Sequence, residues 1–123
     1  MVAVTDEQFD QMVAIAMDSL SKQLEDVKNV GIVIADEPDA AQRERLMLRG
    51  DQSLFGLYEG VPLTRRNGNY SGVVPDKITI FKLPLSQSVD SVKDLQEAVR
   101  HTLWHELAHH FGLDHEHIYQ KEL

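Results

Sequence analysis

The sequence predicts a small mixed fold in which two long helices accompany a set of short strands, and three observations carry that prediction. Apolar residues recur at helical spacing near the start of the chain. Three short apolar or alternating runs follow, bounded by Gly, Pro, Asn and Asp. A second helical pattern near the end is apolar around most of its circumference.

The first helix spans Thr5 to Leu24. Thr5 and Gln8 form a capping-box pattern, and Phe9, Met12, Val13, Ala16, Met17, Leu20 and Leu24 recur in steps of three and four. That stripe reads as a core face. Val30 to Ala35 is an apolar, β-branched run halted by Asp36, Glu37 and Pro38, which predicts a buried strand. Pro38 then opens a helix that runs to Arg49 and closes at Gly50. Leu54 to Tyr58 reads as a strand weakened by Gly56.

Glu59 to Pro75, EGVPLTRRNGNYSGVVP, has the composition of a loop. Lys77 to Leu83 alternates as a strand does, with Ile78, Ile80 and Lys82 on one side, and Pro84 ends it. Ser91 and Asp94 mark the entry of the last helix, which carries Leu95, Ala98, Val99, Leu103, Trp104, Leu107, Ala108 and Phe111. On a helical wheel Ala98, Thr102, His105 and His109 fall together on one side. The apolar positions spread too widely for a surface helix, so this one is expected to be buried, its histidine strip facing a cleft.

Composition narrows the function classes. A chain of 123 residues, 42% hydrophobic and 26% charged, suits one domain over residues 1–123 with a modest core. The net charge of −8 repels phosphate backbones, so nucleic acid is not an expected partner. Arg65 and Arg66 form the densest basic pair, and they sit in the loop composition, where solvated charge is the plain reading. No apolar run approaches the roughly 20 residues that cross a bilayer, and the start of the chain lacks the pattern of a secretory signal. Zero Cys removes disulfides, thiolate nucleophiles and Cys-based metal sites together. The expectation is a cytoplasmic protein without membrane attachment.

The run HELAHHFGLDH, His105 to His115, carries the chemistry. His105 and His109 are four residues apart on a helix, so their imidazoles emerge on one face and can share a metal ion. Glu106 lies beside the first of them, where its carboxylate can reach a water on that metal without ligating it. On a straight helix His115 would stand about 15 Å beyond His105, too far for metal–nitrogen bonds of about 2.0–2.1 Å. The chain must therefore turn back, and Gly112 is suited to end a helix in the left-handed conformation. Ligand, base, ligand, breaker and ligand appear in order.

HExxH followed by GlyxxHis resembles the zincin superfamily and the metzincin consensus within it. The chain as a whole is more similar to a group of minimal bacterial zincin-like metallopeptidases. The segments LFGLYEGVPLTRR, VVPDKITIFKLPL and LWHELAHHFGLDHE carry the likeness, and residues 1–51 share it only in outline. The resemblance implies an α+β domain, a short sheet packed with an N-terminal helix and a buried active-site helix, and one divalent ion, zinc. It implies His105, His109 and His115 as metal ligands and Glu106 as general base for hydrolysis of peptide bonds. The last position of the pattern is often Asp in that group, so Asp114 competes with His115. The Met-turn of metzincins has no counterpart, since the last Met is Met47 and eight residues follow His115.

The implied partner is a peptide or protein substrate. Tyr58, Tyr70 and Tyr119 are candidate oxyanion donors, and the edge of the Lys77–Leu83 strand is a candidate peptide-binding surface. Two other functions stand beside this one. A metal-binding module of regulatory or partner-dependent kind would keep the zinc with little hydrolysis of its own. A three-histidine RNA hydrolase would share GLDH, but that group has Gly at the position of Glu106. His101, His110 and His117 fall outside the ligand pattern and read as ordinary histidines.

Overall fold

A computed structural model describes residues 1–23, 30–50, 53–60 and 76–110. The first helix, α1, runs Asp6–Gln23. Its start is a reciprocal capping box: the Gln8 N–H donates to Thr5 Oγ1 at 3.1 Å and the Thr5 N–H donates to Gln8 Oε1 at 2.9 Å. Phe9, Met12, Val13, Ala16 and Leu20 are buried, the stripe the spacing predicts. Leu24 lies outside the described residues.

Among the described residues, three strands form one sheet in the order β1-β3-β2. β1, Val30–Ala35, pairs parallel with β3, Asp76–Phe81, from Val30 opposite Asp76 to Ala35 opposite Phe81. β2, Gly56–Glu59, pairs antiparallel with the other side of β3. Two expectations change here. β1 is a half-buried edge strand rather than a buried one, because Ile32 and Ile34 pack on the core while Val33 turns outward, 42% exposed. β3 is the central strand, with Asp76, Ile78, Thr79, Ile80 and Phe81 all buried, so neither of its edges is open to a peptide.

Helix lengths also depart from the sequence pattern. α2 covers only Ala40–Arg45, started by an Asp39–Gln42 capping box. It buries no residue, so no packing face extends it, and it ends where Met47 adopts a positive φ of 58°. β3 stops at Phe81 and the chain enters a helix not anticipated, α3, Lys82–Ser88. Pro84 therefore lies in a first helical turn, where its missing N–H leaves no hydrogen bond unmade.

The last helix, α4, spans Val92–His110. Ser91 caps it: its Oγ accepts the Asp94 N–H at 3.0 Å and its carbonyl accepts the Leu95 N–H at 3.0 Å. Leu95, Val99, Leu103, Leu107 and Ala108 are fully buried, and Trp104 nearly so. One side of α4 packs on α1 and the other on β2 and β3, which explains an apolar surface too wide for a surface helix. The result is an α+β fold with α4 at its centre. No helix among the described residues is long and apolar enough to cross a membrane.

Candidate active site

The strip of α4 that faces β2 carries Thr102, His105, Glu106 and His109. What brings it against the strand is a glycine. A Cβ on Gly56 would stand 2.7 Å from Thr102 Cγ2, closer than packed atoms approach, and 3.2 Å from Glu106 Cγ, a tight contact. Only a residue without a side chain lets β2 lie this near the helix.

Register then decides which backbone groups of β2 remain available. The Phe81 N–H donates to the Phe55 carbonyl at 2.9 Å, so the hydrogen-bonded pairs continue at Leu57 with Thr79 and at Glu59 with Lys77. The amides of Gly56 and Tyr58 therefore point away from β3. The Tyr58 N–H meets the carboxylate of Glu106.

Glu106 is in a position that suits proton transfer. Its side chain is 15% exposed, and burial pushes its pKa up to about 7 against the smaller, opposing effect of the Tyr58 N–H. Its Oε1 lies 3.8 Å from Nδ1 of His109. The His109 ring meets the edge of Tyr58, ring centroids 6.4 Å apart at 85°. One turn upstream, the rings of His105 and His101 are 4.7 Å apart. A cavity of about 340 Å³, lined by Leu54, Phe55, Gly56, His101, Thr102, His105 and Glu106, opens beside them. That volume falls within the range of small-molecule and side-chain pockets.

Of the residues the sequence nominates, His105, Glu106 and His109 come together on one face of α4, bordering the β2 edge and the cavity. His115, with Gly112 and Asp114, lies outside the described residues, as do Tyr70 and Tyr119. Among the described residues, no three His, Asp or Glu side chains gather into a metal-holding group. Tyr58 is not aimed as an oxyanion donor would be. Its hydroxyl donates to Asp76 Oδ2 at 2.6 Å, inside the sheet.

Two positions escaped the sequence reading. Gly56 was visible only as a blemish in a strand, although an interior glycine also marks a close backbone approach. Asp76 was left out of β3, yet it is 1% exposed on the same face as Ile78 and Ile80. An acidic residue heading an apolar run is the signal that could have flagged it. Among curated proteins no relative matches the chain. The model of one family, described as zincin-like metallopeptidase, matches residues 27–122, which span β1 through α4 and the whole HExxH run. The chain belongs to the zincin-like metallopeptidase family.

Proposed function

We propose that the protein is a zinc-dependent peptidase in which His105, His109 and His115 hold the ion and Glu106 is the general base. The observation that carries this reading is the setting of Glu106. It is a buried carboxylate, its pKa raised to about 7 in the metal-free chain, next to a histidine of the same motif and beside an open cavity. A catalytic acid–base works best when its pKa is close to the operating pH.

The donor set fits zinc as far as it is described. Two imidazoles at i and i+4 lie on one face of a rigid, buried helix, and nitrogen donors of this kind suit zinc. The third ligand is assigned to the segment after Phe111, with His115 first and Asp114 second. When bound, zinc supplies Lewis-acid polarisation of the scissile carbonyl and makes water acidic enough to give up a proton near neutral pH.

The protein's own groups do the rest. Substrate lies along the outer edge of β2, where the backbone groups of Gly56 point away from the sheet and can pair with an extended chain. One substrate side chain enters the cavity between Leu54, Phe55 and His101. Glu106 takes the proton of water as its oxygen bonds to the carbonyl carbon. The same carboxylic acid then gives that proton to the amine nitrogen as the C–N bond breaks. Digestion of a diverse peptide library by zinc-loaded protein, with Glu106→Gln as control, tests the reading. Cleavage lost in the variant supports it, and no cleavage by the wild type overturns it.

A further inference from the structure

Tyr58 reaches Glu106 and His109 with two different parts of itself. Its backbone N–H donates to the Glu106 carboxylate, and its ring lies against His109. A third part is anchored: the hydroxyl donates at 2.6 Å to Asp76, a carboxyl only 1% exposed. That length falls in the range of O–H···O⁻ hydrogen bonds, the strong kind. We propose that Tyr58 is a positioning residue, its hydroxyl bond to Asp76 holding the residue-58 amide on Glu106 and the ring against His109. The inference rests on the roles proposed for Glu106 and His109.

The local geometry explains why such an anchor is needed. β2 has four residues and pairs with β3 along one side. Its hydrogen-bonded pairs with β3 are Leu57 and Glu59, so the amide that serves Glu106 points away from that ladder. A cross-strand tie from Tyr58 to Asp76 sets the rotation of the strand about its own axis, and with it the direction of that amide. Gly60 makes room for the tie. Any Cβ there would overlap the Asp76 carboxyl, and its φ of +157° falls at the limit of what other residues adopt. Tyr58, Asp76 and Gly60 thus serve one arrangement.

The test is amide hydrogen exchange, read residue by residue in wild type, Tyr58→Phe, Asp76→Asn and Asp76→Ala. Loss of one buried hydrogen bond should speed exchange at residue 58 by up to about tenfold in Tyr58→Phe and Asp76→Ala. Leu57 and Glu59 amides should stay within about twofold, because their bonds to β3 remain. Asp76→Asn keeps an acceptor for the hydroxyl and should exchange nearly as wild type does. On a cleaved peptide, Tyr58→Phe should lower kcat by about tenfold or more with KM changed less than about twofold.

Unchanged exchange at residue 58 in Tyr58→Phe would overturn the proposal. So would equal acceleration of all three amides, which would mean that the strand merely loosens, or Asp76→Asn behaving as Asp76→Ala does. Should Asp76→Ala not fold, Tyr58→Phe and Asp76→Asn still decide the matter. If the wild type cleaves no peptide, the proposed function fails alone, and the exchange data still judge Tyr58.

Discussion

Gly56 and Thr102 meet with no room between them: a Cβ on the glycine would lie 2.7 Å from the threonine Cγ2. Because Glu106 Cγ is only 3.2 Å from the same point, this contact also fixes how near β2 comes to Glu106. Gly56→Ala must shift the strand, the helix or the Thr102 side chain. Overpacking of this kind costs about 1–3 kcal/mol. The prediction is a lower melting temperature together with a larger loss of kcat than of zinc affinity, since the histidines sit on α4 and not on β2. Calorimetry and zinc competition on the same variant check it. Wild-type kcat would mean that the close approach has no part in catalysis.

Replacing Glu106 with Gln keeps the size and the bond from the Tyr58 N–H but removes the basic oxygen. General acid–base groups contribute roughly 10²–10⁴-fold to rate. Hydrolysis should fall by about that factor while zinc stays at one ion per chain, measured by elemental analysis. An unaltered rate would take Glu106 out of the mechanism.

His115 and Asp114 are both placed by sequence to complete the metal site, and alanine at each separates them. Loss of a zinc ligand weakens binding far more than loss of a neighbour that only orients one, for which about 10–100-fold is usual. His115→Ala should abolish stoichiometric zinc at neutral pH, and Asp114→Ala should retain it. The reverse pattern would make Asp114 the ligand.

Much of this architecture was legible in the chain because local rules and burial agreed. The capping box at Thr5, the N-cap at Ser91 and the apolar stripes of α1 and α4 follow from short-range geometry that packing then reinforces. The strip bearing His105, Glu106 and His109 was equally readable, since helical spacing alone puts the three side by side. What escaped notice depends on neighbours distant in sequence. The central place of β3 follows from pairing with β1 and β2, which periodicity within Lys77–Leu83 cannot reveal. The brevity of α2 reflects the absence of anything for it to pack against. Gly56 and Asp76 matter only because a helix crosses one and a tyrosine reaches the other.

Glu106 also predicts how stability varies with pH. Its pKa rises from an ordinary 4.5 to about 7 on folding, with burial the main cause. Between those values the folded chain holds a proton that the unfolded chain has released. Stability from this group is therefore complete below about pH 4.5 and declines as pH rises through 7, where the carboxylate must be charged in a buried place. At 1.36 kcal/mol per pH unit the whole effect is at most about 3 kcal/mol. Zinc must be stripped first, since a cation beside the carboxylate would favour its charged form. Denaturant unfolding of metal-free protein at pH 5 and pH 8 should show the loss, and Glu106→Gln should show less of it. The difference between the two proteins isolates Glu106 from every other titrating group. Parallel pH dependences in wild type and variant would mean that the carboxyl is not held in a buried, proton-retaining setting in the metal-free protein.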